Sequence, residues 1–552
     1  MNTRNPPSAS TGGDAVLRFF AARTAEHVFG LPGSSSIPIF HAFPWSTCQF
    51  VPALQENAAL AMADGYARFK GPTGVLLYMM PGVATAMSNL YNASRDETPL
   101  VIVASQQASY ARWGQGSVGE ADLAQMAAPY TRFARELSHG SQLVGLLEAA
   151  YRASLGPPGG PSLLIVPEDL QRAHVEVPSF PARLREKAAP ASITPVAERL
   201  ANAAQPLIIV GGQLRRSGGS AAIEALADEF EIPVAYEPFW NDRLGISPGH
   251  RCCFANITEG SSLGSMADFV LAIGCRLFNE VHPRTGAWFH ENAFVAHVNA
   301  DIEKLEQTFG VNWSCAADPG IVAARLLDEA RRRGIPSDLR ASRAARLQAA
   351  LQRRARSRPG PYTEASEALS GELDHAYLVD ESVSGNYPLV AQLRGHHGER
   401  YVSTAGGSLG WGMGASCGVA LATGEPVTCV VGDGAFFFGV QALSHAAAMR
   451  LPVTFVVLDN GGFGSTQWFE QHYAASLPDE AKRVTNFVGS DFRGGRPSVL
   501  DVARGFGLPG VEANDGEMLR KHLDSARRNG PSVVRLRIPS AEPSAKGVAR
   551  SA

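Results

Sequence analysis

The chain has 552 residues, of which 45% are hydrophobic and 18% charged, with a formal net charge of −3. That length exceeds one core and calls for two to four domains, and the near-neutral balance argues against a polyanion-binding surface. The 7 cysteines show no metal-site spacing, and no apolar run reaches the roughly 18 residues of a membrane span, so the expectation is a cytoplasmic protein with neither nucleic-acid nor membrane partners.

Met1 to Gly13 is polar, lacks a signal-peptide core and is expected to be disordered. Asp14 starts an amphipathic helix through Glu26, with Val16, Leu17, Phe19 and Phe20 on its apolar face. Short strands follow at Val28–Phe29 and Phe50–Ala53, and the second leads through Leu54-Gln55-Glu56 into a helix over Asn57–Phe69. Thr73–Met80, Pro99–Ser105 and Ser162–Val166 read as buried strands. Val175–Pro195 lacks strand runs and reads as a linker. The second unit has strands at Leu207–Val210, Val234–Tyr236, Phe269–Ile273 and Phe294–Val298, and an Arg-rich stretch near Ser337–Pro361 reads as a second linker. The third unit has strands at Ala376–Asp380, Tyr401–Ser403, Val427–Val431, Val453–Leu458 and Ser532–Leu536. Strands alternating with helices predict an α/β chain of three doubly wound parallel-sheet domains, over residues 14–175, 195–335 and 362–540.

One segment concentrates the chemistry. Gly432-Asp433-Gly434-Ala435 ends one predicted strand, and Asp459-Asn460-Gly461-Gly462-Phe463 ends the next. A right-handed crossover sets these two strand ends side by side, where open α/β sheets bind ligands. Asp433, Asn460 and the Gly462 carbonyl form a hard-oxygen set suited to Mg2+ and phosphate. Gly-Asp-Gly alone reads first as an ordinary turn with Asp as helix cap; the second strand end reverses that and decides for a site.

The segment resembles the thiamin-diphosphate-binding motif, except that Asp459 stands where the motif has its first Asn. Leu54-Gln55-Glu56-Asn57-Ala58-Ala59 looks like the stretch whose Glu hydrogen-bonds the cofactor's aminopyrimidine. Gly406-Gly407-Ser408-Leu409-Gly410 looks like the loop whose apolar residue, here Leu409, wedges the two cofactor rings into a V while the Gly407 carbonyl accepts from the ring amine. Together these stretches resemble the thiamin-diphosphate enzymes of the 2-oxo acid decarboxylase and acetohydroxyacid synthase group, with benzoylformate decarboxylase the most similar branch. The resemblance implies thiamin diphosphate and Mg2+ as cofactors and a homodimer or homotetramer with active sites between subunits. Its middle domain is Rossmann-like; whether it takes a flavin is not legible in these residues.

Around the reacting carbon, the branch carries a serine and two histidines. Ser34 matches the serine. Tyr78 falls at the first histidine; its phenol ordinarily titrates at about 10, a poorer proton shuttle near neutrality. The second histidine falls beside Val281, one position from His282. Val383 stands where the branch has Thr. The expected catalytic set is thus Glu56, Ser34, Tyr78 and His282. The implied activity is non-oxidative decarboxylation of an aromatic or branched 2-oxo acid through a C2-carbanion/enamine. Two alternatives stay open: an acetolactate-synthase-like carboligase, and a cofactor-binding protein with little turnover.

Overall fold

Three sets of β-branched and leucine-rich strands build three separate sheets. The computed structural model describes residues 10–112, 122–177, 188–237, 242–256, 262–278, 288–307, 310–354, 360–393, 398–478, 487–492 and 495–539. The first sheet holds β1 (His27–Gly30), β2 (Gln49–Pro52), β3 (Thr73–Tyr78), β4 (Leu100–Gln106), β5 (Phe133–Glu136) and β6 (Ser162–Pro167), in the order β2-β1-β3-β4-β6-β5. The second holds β7 (Pro206–Val210), β8 (Val234–Tyr236), β9 (Cys253–Asn256), β10 (Phe269–Ile273), β11 (Phe294–Asn299) and β12 (Trp313–Ala316), ordered β12-β11-β10-β7-β8-β9. The third holds β13 (Tyr377–Glu381), β14 (Tyr401–Ser403), β15 (Val427–Gly432), β16 (Val453–Asp459), β17 (Gly510–Ala513) and β18 (Ser532–Arg537), ordered β14-β13-β15-β16-β18-β17. Every pairing is parallel, as in β15 on β16 and β10 on β7.

The first and third sheets repeat one strand permutation, and the second has the order of a dinucleotide-binding fold. The direction of winding reverses between β1 and β3, between β7 and β10, and between β13 and β15. Each reversal opens a crevice at the carboxyl ends of its strands. The first and third domains meet along two helices, Glu56–Lys70 and Gly412–Thr423, both rich in Ala and Gly. Close approach explains the small residues: a Cβ on Gly418 would lie 2.0 Å from the Met62 carbonyl. Among the described residues no helix is long and apolar enough to cross a membrane.

Three expectations change. The sequence pattern does not predict the edge strands β5, β9, β12 and β17. Thr11 caps the first helix through a reciprocal box with Asp14, so Gly12 and Gly13 are ordered and buried rather than part of a loose N-terminus. Ser337–Arg354, read as linker, is an 18-residue helix. Its Arg343 is buried and donates to the Leu200 and Ala203 carbonyls at 2.6 Å each, while Leu347 and Ala350 give the helix an apolar face that the arginine count hides. The right-handed crossover between the two strand ends runs through two helices, Asp433–Gly439 and Ala442–Met449, where one would suffice.

Candidate active site

The switch point of the first sheet carries hydroxyls. Ser34 follows β1 and Tyr78 ends β3, and Ser34 Oγ lies 3.2 Å from Tyr78 Oη. The Tyr78 ring lies against Gly33, where a Cβ would sit 1.9 Å from its Cδ2, so the loop after β1 accepts only Gly there. Glu56 opens the helix after β2, the strand flanking β1, and its Oε1 lies beside Gly82 in the first turn of the Met79–Arg95 helix. The structure therefore brings Ser34, Tyr78 and Glu56 to one sheet edge. His282, with Glu280 and Val281, lies outside the described residues.

The Leu409 loop is held by that same helix. Asn92 Nδ2 donates to the Ser408 carbonyl at 2.8 Å, and Ser408 N donates to Asn92 Oδ1 at 3.0 Å. Asn89 Nδ2 donates to the carbonyl of Asn57, next to Glu56, at 2.9 Å. Leu409, Gly407, Val383 and Glu381 line one small cavity of about 20 Å3. Glu381 accepts from Trp411 N at 3.1 Å and Gly412 N at 2.9 Å, and burial lifts its carboxyl to about 7 against those donors. Val383 has a φ of 53°, a costly conformation for a β-branched residue and one that clusters at functional sites.

The third sheet carries charge. Asp433 follows β15 and is 1% exposed. Its Oδ2 receives no aligned hydrogen bond, and the Arg496 guanidinium stands 2.9 Å away. Arg496 also pairs with Asp459 Oδ1, and Arg535 Nε pairs with Asp459 Oδ2 at 2.5 Å. Burial is the largest influence on both acids. It lifts Asp433 to about 7, helped by the Asp459 charge and opposed by Arg496. At Asp459 the Arg535 and Arg496 bonds outweigh burial and hold the carboxyl low. Asn460 Nδ2 donates to Tyr362 Oη at 3.1 Å, and Asn460 Oδ1 accepts from Gly462 N at 3.1 Å. Phe463 covers Gly434, where a Cβ would meet its Cε1 at 2.5 Å. A cavity of about 560 Å3 opens beside Asp459, Asn460, Arg496 and Arg535. Asp433 Oδ2, Asn460 Oδ1 and the Gly462 carbonyl are oxygen donors at one sheet edge, so these residues fit a hard divalent cation.

Glu381, Tyr362 and Arg496 were not singled out from sequence. Asp459 was the available signal for Arg496, since an extra carboxylate beside Asp433 calls for a cation. Beyond Tyr78, Met79 is buried, while Met80 is 37% exposed and Trp468, on the helix after Phe463, is 51% exposed. His472 lies against Trp468, with ring centroids 3.6 Å apart and planes tilted by 35°.

The crevice of the second sheet is filled. Glu237 Oε1 accepts from Arg276 N and Leu277 N at 2.8 Å each. Asp242 stands over Gly212, where a Cβ would lie 1.8 Å from Oδ1. Gln213 spans Glu97, Asn299 and the Ala300 amide. About 30 Å3 remains, room for about one water.

The comparisons agree with this layout. The family described as thiamine pyrophosphate enzyme, N-terminal TPP binding domain, matches residues 10–127; the central domain of the same enzymes matches 193–326, and the C-terminal TPP binding domain matches 384–536. Benzoylformate decarboxylase of Pseudomonas aeruginosa is 26% identical over 533 residues, covering 94% of this chain and 96% of its own. Acetolactate synthase of Arthrospira platensis is 24% identical over 568 residues, covering 96% of this chain and 94% of its own. The thiamine diphosphate-dependent 4-hydroxybenzoylformate decarboxylase of Rhodococcus jostii RHA1 superposes with a TM-score of 0.84 at 23% identity, over 97% of this chain and all of that one, which shows the shared fold. With all three domain families matched in order, the chain belongs to the thiamine pyrophosphate enzymes of the decarboxylase and acetolactate synthase kind.

Proposed function

We propose that the chain is a thiamin-diphosphate- and Mg2+-dependent decarboxylase of an aromatic or branched 2-oxo acid, working as a homodimer or homotetramer. The observation that carries this reading is the Ser34–Tyr78 hydroxyl pair at 3.2 Å, on the same sheet edge as Glu56. Asp433, Asn460 and the Gly462 carbonyl would hold the metal. Gly432, Gly434, Ala435 and Phe463 would line the diphosphate, and Gly407 and Leu409 the rings. The cofactor, when bound, supplies the carbon nucleophile and the electron sink for loss of CO2. Glu56 would hydrogen-bond the pyrimidine ring, the contact that activates the cofactor. The Ser34 and Tyr78 hydroxyls orient the substrate's oxygens and return a proton to product, as general acids within hydrogen-bond reach. Met80 and Trp468 offer apolar surface to an aromatic or branched side chain. The cytoplasm suits seven free thiols.

A carboligase is the second reading, favoured by Tyr78 standing where the decarboxylase branch has a histidine. A phenol returns protons more slowly and leaves time for a second carbonyl to react. The filled second crevice, with Glu237 on its amides, argues against a flavin-dependent synthase. Pyruvate and benzoylformate, each assayed with and without an acceptor aldehyde, separate the two. Free aldehyde as the main product supports decarboxylation, and a 2-hydroxyketone as the main product overturns it.

A further inference from the structure

Arg496 stands at the Asp433 centre as a charged group that the thiamin-diphosphate motif does not account for. Its fork spans two carboxylates: Nη1 stands 2.9 Å from Asp433 Oδ2, and Nη2 pairs with Asp459 Oδ1. Asp459 is the position where the motif has Asn, so the extra negative charge and the extra cation come together. Arg535 fixes the second oxygen of Asp459 at 2.5 Å, which leaves Oδ1 aimed at Arg496. The two acids are nearly sealed, with 2% and 3% side-chain exposure, whereas Arg496 keeps 18% and borders the 560 Å3 cavity. The arginine is therefore the partner with room to move.

We propose that Arg496 is a tethered cation that competes with the divalent metal for Asp433 and yields it when a diphosphate takes the guanidinium. The inference rests on the metal-dependent reading above. A divalent cation and the guanidinium repel each other when both face Asp433 Oδ2 in a buried site. Displacing the guanidinium alone leaves it half-paired, held by Asp459 only, which is costly. A diphosphate removes that cost by offering a bidentate acceptor beside the same carboxylates. Metal and diphosphate then favour each other's binding through one mobile side chain, a coupling that is reciprocal. Asp459, pinned by Arg535, keeps Arg496 near the site and shapes the choice.

The test is Mn2+ binding to the purified chain, read by electron paramagnetic resonance with no diphosphate present, for wild type, R496Q and R496K. R496Q is expected to bind Mn2+ about 10- to 100-fold more tightly than wild type, the equivalent of one charge-assisted bond. R496K, which keeps the charge but cannot span both acids, is expected to fall between and covers the case in which R496Q does not fold. D433N placed in the R496Q background should abolish the gain. Equal Mn2+ affinity in wild type and both variants overturns the competition, provided that thiamin diphosphate plus Mn2+ still quenches tryptophan fluorescence in each. Failure of wild type to take up thiamin diphosphate with Mn2+ overturns instead the metal-dependent reading itself.

Discussion

The crevices of the second and third sheets share a scaffold and have opposite contents. Both lie at the carboxyl ends of parallel strands, the second where the winding reverses between β7 and β10 and the third one strand beyond its reversal, between β15 and β16. In the second, Glu237 occupies the Arg276 and Leu277 amides, Asp242 covers Gly212, and about 30 Å3 remains. In the third, Asp433 and Asn460 stand at the strand ends beside about 560 Å3. A strand order alone thus predicts where a ligand could bind, and the side chains on the loops decide whether one does. Where a carboxylate already satisfies the amides that a pyrophosphate would need, the site repels the anion instead.

The largest expected effect comes from Glu56, which stands at the first sheet's edge, outside both crevices, and which the proposed reading sets against the cofactor. E56Q should lower turnover by about 10²- to 10⁴-fold, the usual span of a lost acid–base group. Cofactor affinity, followed by fluorescence quenching, should stay within a few-fold of wild type. A proportional loss of both would make Glu56 a binding group only. D433N should then weaken metal-dependent thiamin diphosphate binding by at least about 100-fold, the upper end seen for groups that merely support metal ligands, and calorimetric titration reads it directly. An unchanged affinity would remove the distinction between the two crevices.

E237Q probes the filled crevice through pH. Burial, opposed by the Arg276 and Leu277 amides and by Arg276, lifts the Glu237 carboxyl from its ordinary 4.5 to about 7. Between those values the folded chain keeps a proton that the unfolded chain releases. Its stability contribution is therefore full below about pH 4.5 and is lost as pH rises through 7. The difference over that window is on the order of 3 kcal/mol at most. Apparent unfolding midpoints in urea at pH 5 and pH 7 should differ less in E237Q than in wild type. An identical difference would show that the carboxyl does not titrate there.

The two crevices also show what a linear chain discloses. The central strands were legible because burial on both faces demands unbroken apolar runs such as Val453–Leu458 and Leu207–Val210. Edge strands pair on one side only and need no such run: Trp313–Ala316 and Gly510–Ala513 are half-exposed and mixed in character, so their pattern is silent. Asp433, Asn460, Ser34 and Tyr78 were legible because each follows a readable strand. Arg496 was not, since it meets Asp459 across 37 residues from within a loop. Glu237 was hidden for the same reason: its partners, the Arg276 and Leu277 amides, are 39 and 40 residues away.

The smallest effect belongs to the Ser34–Tyr78 pair, which puts hydroxyls in place of charge at the first sheet's switch point. The Tyr78 ring packs on Gly33 whether or not its hydroxyl is present. Y78F should therefore leave the thermal midpoint unchanged and isolate one hydrogen bond, that to Ser34 Oγ. One such bond is worth about 0.5–1.5 kcal/mol, or up to about 10-fold in rate. If the pair returns the proton that frees the product, the loss appears in kcat more than in KM, and added acceptor aldehyde diverts more material into 2-hydroxyketone. If kcat and the product ratio both match wild type, the pair does not touch the substrate. Proton return would then have to come from elsewhere at this sheet edge.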